Sequence, residues 1–111
     1  MFSYEYKLSC GTEHADSPEA AKQYLIGLAL NLGFDGGTVL DGTGFWKSSD
    51  RGIVTEPSLI LILSTGDYYR SGSARLLASR YCEWSGEDCV LLQITDPTSG
   101  KTTSEFVTGA N

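Results

Sequence analysis

Five consecutive aliphatic residues at positions 59–63, reading LILIL, constrain the fold more than any other feature of the chain. A β-strand places successive side chains on opposite faces of its sheet, so this run offers apolar groups to both faces. Both faces must then be covered, which is typical of a central strand. The run is far shorter than the roughly 20 apolar residues that span a bilayer, so we predict no membrane segment.

Hydrophobic periodicity predicts the other elements. Five stretches read as strands, at residues 2–10, 38–46, 53–65, 89–94 and 101–107. A first helix is predicted from Pro18, with Ser17 as its N-cap, to the glycine at position 33. A second helix follows the loop at 66–73 and ends near Gly86. The glycines within residues 41–44 predict a bulge or a close approach of backbone or ligand.

This order predicts an α+β fold, a ferredoxin-like β-α-β-β-α-β sandwich with an extra C-terminal strand, in a single domain over residues 1–111. Two helices cover only one face of such a sheet. Leaving two or three side chains of residues 59–63 wet on the other face would forgo roughly 1.5–3 kcal/mol each. We therefore expect a homo-oligomer formed through that second face.

The charge balance argues against direct nucleic-acid binding, because 14 acidic and 8 basic residues leave a net charge of −6. No signal peptide opens the chain, and its three cysteines form no C-x-x-C pair, so a cytoplasmic location is expected. One histidine and no clustered ligands predict no metal and no cofactor.

The loop before the second helix is the first candidate ligand site. Backbone N–H groups, hydroxyls and the helix dipole favour an anion there, two guanidinium groups can clamp a phosphate, and tyrosines can stack on a base. The residues proposed for this site are Tyr68, Tyr69, Arg70, Ser71, Ser73 and Arg75. The alternative is a solvated loop in which a serine is only the N-cap of the helix.

The tip of the central hairpin is the second candidate. Trp46 and Lys47 precede the turn and Arg51 follows it, and an aromatic ring beside cations is typical of a recognition surface. A neighbouring subunit could contribute these three residues to the ligand pocket. The alternatives are that Trp46 lies in an oligomer interface or folds back onto the sheet.

Three segments resemble a family of small bacterial and phage domains. Residues 37–47 read GTVLDGTGFWK and residues 52–59 read GIVTEPSL, similar to the family pattern G-x-T-V-L-x-x-x-G-x-W followed by G-x-x-x-E-P-S. Residues 86–92 are similar to its closing G-Q-E-x-V-L segment, with Glu87 in place of the usual Gln. The resemblance implies a ferredoxin-like fold and a phage or mobile-element origin. It implies no established activity and no catalytic residues.

These features favour a non-enzymatic protein that sequesters a small anionic ligand, such as a nucleotide or cyclic nucleotide signal, in phage counter-defence. The first alternative is an anti-CRISPR-like inhibitor whose acidic surface, including Glu83, Glu87 and Asp88, blocks a nucleic-acid-binding host protein. The second alternative is a small enzyme. It ranks last because no nucleophile–base pair can be assembled from the sequence.

Overall fold

The computed structural model describes residues 3–65 and 70–109, and these form five strands and two helices. The elements in chain order are β1 (Glu5–Gly11), α1 (Pro18–Asn31), β2 (Gly37–Ser48), β3 (Gly52–Ser64), α2 (Ser71–Ser85), β4 (Cys89–Thr95) and β5 (Thr102–Thr108). None of the helices in the described part of the chain is long and apolar enough to cross a membrane.

The five strands form one sheet in the order β2-β3-β1-β4-β5, and every neighbouring pair is antiparallel. The prediction of a mixed α+β domain is confirmed, and the arrangement is compatible with a ferredoxin-like sandwich. The last strand, β5, lies at the sheet edge beside β4.

The core lies between the two helices and one face of the sheet. Side chains alternate along β1 and β4, so that every second residue is buried against the helices. The largest fully buried side chains are Tyr6, Tyr81, Phe34, Leu8, Leu25, Leu59, Leu61, Leu77 and Leu92. Neither of the two helices in the described part of the chain lies on the other face, and we call it the helix-free face. A homo-oligomer through that face stays a prediction.

The three cysteines are free thiols. Cys10 and Cys82 are buried, as expected of small apolar groups, whereas Cys89 is exposed at the start of β4. Its position as the first residue of a strand beyond the end of α2 accounts for its exposure.

The two helices begin differently. Ser17 caps α1 as predicted, because its hydroxyl accepts a hydrogen bond of 3.0 Å from the backbone N–H of Ala20. At α2 the N-cap is Arg70, which makes no side-chain capping bond. Ser71 lies inside the first turn of α2 and is buried, so neither Ser71 nor Ser73 is the N-cap.

The hairpin of β2 and β3 pairs without interruption from Gly37–Leu63 to Ser48–Gly52, so the predicted bulge at residues 41–44 is wrong. Gly44 instead lies opposite Glu56, and a Cβ at Gly44 would contact the Glu56 side chain. At 3.6 Å this would be an ordinary van der Waals contact, so close packing does not require a glycine at this position.

Half of this hairpin extends beyond the rest of the sheet. β1 pairs with β3 only between Ser58 and Ser64, so the strand pairs of residues 43–57 are only with each other. At the base of this segment, the backbone N–H of Thr12 donates a 3.0 Å hydrogen bond to the carbonyl of Pro57. We call residues 43–57 the arm. It gives the molecule its elongated dimensions of 47 × 28 × 27 Å.

Candidate functional site

A groove of about 610 Å³ crosses one end of the helix-free face. The arm forms one wall with Trp46, and Phe106 of β5 contributes to the opposite side. Ser9 and Leu91 are cross-strand partners that line the groove between these walls. The loops that follow β1 and α2 close its end. The volume is within the range of small-molecule sites.

Carboxylates from three segments meet at the closed end of the groove. Glu13 comes from the β1–α1 loop, Glu56 from the arm, and Glu87 from the turn between α2 and β4. Glu56 and Glu87 both lie over Gly11, where a Cβ would collide with an Oε1 atom of each. A side chain at position 11 would therefore push these two carboxylates away from each other.

The crowding of these groups changes their protonation. Burial, the negative charge of Glu87 and a hydrogen bond with Glu13 raise the pKa of Glu56 above its usual value of 4.5. Burial also raises the pKa of Glu87, and the nearby His14 opposes this shift. The Nε2 atom of His14 lies 3.5 Å from Oε2 of Glu87. The cluster therefore favours neutralisation by a proton or by a bound cation.

Tyr81 and the end of α2 hold this corner in place. The buried hydroxyl of Tyr81 donates a 2.5 Å hydrogen bond to the carbonyl of Gly11. Burial raises the pKa of Tyr81, which keeps the hydroxyl protonated as a donor. Gly86 ends α2 in the left-handed conformation, and the backbone N–H of Glu87 donates to the Ser85 hydroxyl at 3.1 Å. These bonds fix the backbone from which Glu87 projects.

The groove combines negative charge with exposed aromatic rings. Trp46 is 41% exposed and Phe106 is 72% exposed, so both rings offer surface for stacking. Arg51 adds one guanidinium group to the lining. The site can therefore hold a ligand that carries a cationic group, a flat ring and a carboxylate. Among residues 3–65 and 70–109, no three His, Cys, Asp or Glu side chains are arranged to hold a metal ion.

The structure brings only part of the predicted hairpin site together. Trp46 and Arg51 both line the groove. Lys47 lies on the opposite face of the arm, in register with Ile53, and is exposed.

The other predicted ligand residues surround the start of α2, away from this groove. Tyr68 and Tyr69 lie outside the described residues. The backbone N–H of Arg70 donates a 2.7 Å hydrogen bond to the Tyr6 hydroxyl, and its guanidinium lies over Gly33 at the end of α1. Ser71 is buried and Ser73 is half-buried within α2.

Arg75 pairs with Glu105 of β5, so its guanidinium and that of Arg70 are directed at different elements. We expect Arg75→Ala to lower the free energy of unfolding by at most about 1 kcal/mol, because both partners of this pair are about half exposed. Urea denaturation of the variant and the parent measures this difference. A roughly tenfold to hundredfold loss of nucleotide binding in the same variant would instead support the anion site.

Sequence reasoning did not assign Glu56 or Phe106 to a site. Glu56 lies in the E-P-S segment that carries the family resemblance, opposite a glycine, and both signals could have indicated it. Phe106 has no comparable signal, because only the pairing of β5 with β4 places it beside the groove. Sequence reasoning placed Glu87 in an acidic surface and did not assign Glu13 to a site.

The fold is a small α+β domain, and one solved enzyme shares it. That enzyme is a phage SAM lyase in its apo state, which superposes with a TM-score of 0.78 over 99% of this chain and 92% of its own. The two sequences are 16% identical, so the likeness shows a shared fold. No protein-family model matches the chain, and no curated protein matches it.

This likeness corrects the prediction that the protein is not an enzyme. That prediction rested on the lack of a nucleophile–base pair in the sequence. An enzyme that shares the fold along nearly the whole chain overturns it, because the fold is now known to carry catalysis. An enzyme also needs no nucleophile when its reaction requires only that the substrate is held and its charge neutralised.

The carboxylate cluster predicts a pH dependence of stability. Since the pKa of Glu56 is raised in the folded state, the folded protein binds more protons than the unfolded chain above pH 4.5. Ionisation of Glu56 therefore opposes folding as the pH rises through its raised pKa. We expect Glu56→Gln to be more stable than the parent at pH 7, by at most about 1 kcal/mol, with the difference vanishing near pH 4. Thermal unfolding of both proteins between pH 4 and pH 8 measures this, and a parent protein that is the more stable at pH 7 contradicts it.

Proposed function

We propose that the protein is a phage-encoded enzyme that cleaves S-adenosylmethionine (SAM) as a lyase, in the groove between the arm and β5. The observation that carries the proposal is the meeting of Glu56 and Glu87 over Gly11, beside the aromatic rings of Trp46 and Phe106. The shared fold with a phage SAM lyase supports it.

The chemistry of SAM matches this groove group by group. The molecule carries a sulfonium and an ammonium, which the carboxylates of Glu56 and Glu87 would neutralise. Its adenine ring can stack on Trp46 or Phe106, which is the arrangement that exposed aromatic side chains favour. Its own carboxylate can pair with Arg51. The binding of a cation would also relieve the repulsion between the two glutamates.

Cleavage of a C–S bond in SAM requires few catalytic groups from the protein. When a C–S bond of the sulfonium is cleaved, its electron pair goes to sulfur and a neutral thioether leaves, so no acid is needed to protonate the leaving group. The carbon must then be attacked by another group of the substrate, or a neighbouring C–H must lose its proton to a base. A carboxylate with a raised pKa, such as Glu56, is suited to accept that proton.

The proposal predicts that the purified protein converts SAM to a thioether nucleoside without water as a reactant. Liquid chromatography and mass spectrometry would follow the loss of SAM and identify both products. In ¹⁸O-labelled water, the cleavage step should place no ¹⁸O in either product, because water does not attack the substrate. S-adenosylhomocysteine, which lacks the sulfonium charge, is the matched control and should persist. SAM that binds but stays intact overnight at stoichiometric protein would overturn the lyase proposal.

A SAM-cleaving enzyme keeps the expected counter-defence role but changes its chemistry. The ligand would be consumed rather than sequestered, and it would be cationic at sulfur rather than simply anionic.

A further inference from the structure

The arm carries two apolar side chains that none of residues 3–65 and 70–109 covers. Phe45 is 77% exposed and Ile53 is 76% exposed. Their cross-strand partners are Thr55 and Lys47, so all four side chains lie on one face of the arm. This face is opposite to the one that carries Trp46 and Glu56. A two-stranded hairpin is marginally stable alone in water, so an arm with an uncovered apolar face gains from a partner.

The opposite end of the same hairpin has an unfilled apolar cavity of about 290 Å³. It lies between α1 and the first residues of β2, and Ala29, Phe34 and Leu63 are among its lining side chains. Ile26 and Leu30, both exposed on α1, extend the apolar surface around it. The backbone at Gly36 leaves the mouth open, since a Cβ there would meet no atom within 4 Å.

One molecule cannot fill its own cavity with its own arm. The cavity is lined by Gly37, the first residue of β2, and the arm ends at Ser48, its last residue. Eleven residue steps along a strand span roughly 36 Å. An arm that fills this cavity must therefore belong to another molecule.

We propose that the arm of a second copy of this chain docks on the α1–β2 cavity and places Phe45 in it, with Ile53 against Ile26 and Leu30. Charge favours this partner. Lys47 lies between the two apolar side chains of the arm, and Asp35 is exposed beside the mouth of the cavity. One chain therefore carries both halves of a complementary contact. The exposed apolar side chains of the arm lie beside the cation of Lys47, and the apolar cavity lies beside the anion of Asp35. This contact is separate from the predicted association through the helix-free face, and it does not rest on the proposed activity.

Light scattering at tens of micromolar tests the contact. The parent should be larger than 12 kDa, and the double variant Phe45→Ser with Ile53→Ser should have a lower mass than the parent. Phe106→Ser is the matched control, because it removes an equally exposed ring from β5, outside the proposed contact, and it should lower the mass less than the arm variant does. A monomeric parent overturns the proposal. So does an assembly that Phe106→Ser dissolves and the arm variant leaves intact.

Charge exchange keeps the test independent of folding, since both charged residues are exposed. Lys47→Asp and Asp35→Lys should each weaken self-association at least severalfold, and the protein carrying both should recover it. Mixing the arm variant with a Gly36→Phe variant, in which the cavity mouth is blocked, should form a mixed complex from two proteins that do not assemble alone. Failure of both the charge rescue and the mixing contradicts docking of the arm on this cavity.

Discussion

Glu56→Gln and Glu87→Gln should each lower kcat/KM for SAM cleavage by about 10²- to 10³-fold, the usual effect of removing one preorganised charge from a catalytic site. Each substitution keeps the shape of the side chain and removes the negative charge that would face the sulfonium. The loss of kcat/KM should be larger than any loss of folded protein in either variant. For Glu56→Gln, the reason is that charged Glu56 opposes stability at neutral pH.

Glu105→Gln is the matched control for this experiment. Glu105 is also a strand glutamate and also faces a partner, but that partner is Arg75 and the residue does not line the groove. Its replacement should leave kcat/KM within about twofold of the parent, as for other surface changes away from a site. Equal losses in all three variants would indicate a general loss of folded protein. Full activity in both Glu56→Gln and Glu87→Gln would remove the groove from the proposed function.

Leu25→Ala should lower the free energy of unfolding by about 2–5 kcal/mol, the range for a buried leucine in a packed core. The described residues include all of α1, whose buried side chains are Ala21, Leu25 and Ala29. Leu25 is therefore the large side chain that anchors α1 to the sheet. The measurement is urea denaturation followed by circular dichroism.

Leu30→Ala is the control for Leu25→Ala, because it makes the same change on the same helix at a side chain that is 53% exposed. It should cost well under 1 kcal/mol. Similar losses in the two variants would contradict the role of Leu25 burial, because alanine is a better helix former than leucine and helix propensity explains neither loss.

The elements with strong local signals could be predicted from the sequence. Ser17 and Pro18 placed the start of α1, and the alternation along β1 placed its buried face, because capping and periodicity act within a few residues. The predicted bulge in β2 failed for the opposite reason. Glycines in a strand can mark a bulge or lie within a regular ladder, and only the pairing with β3 decides between them.

The site depends on distances that the sequence does not contain. Glu13, Glu56 and Glu87 are separated by 30 or more positions, and sheet topology alone brings the ends of β1, β3 and α2 to one corner. The basic loop at 68–75 was a stronger local signal, since its arginines, serines and tyrosines are contiguous. In the described part of that loop, however, Arg70 and Arg75 face different elements. Residues that are close in the sequence therefore do not form one site in the structure.

The unbroken register of the arm restricts how its length can change between related proteins. Inserting one residue in each strand would exchange the two faces beyond that point, so Trp46 and Glu56 would turn away from the groove. Only insertions or deletions of two residues in each strand preserve the faces, and each such step changes the reach of the arm by about 7 Å. Natural variation in this hairpin should therefore occur in blocks of four residues, and hairpins of intermediate length should be rare among relatives that keep the groove.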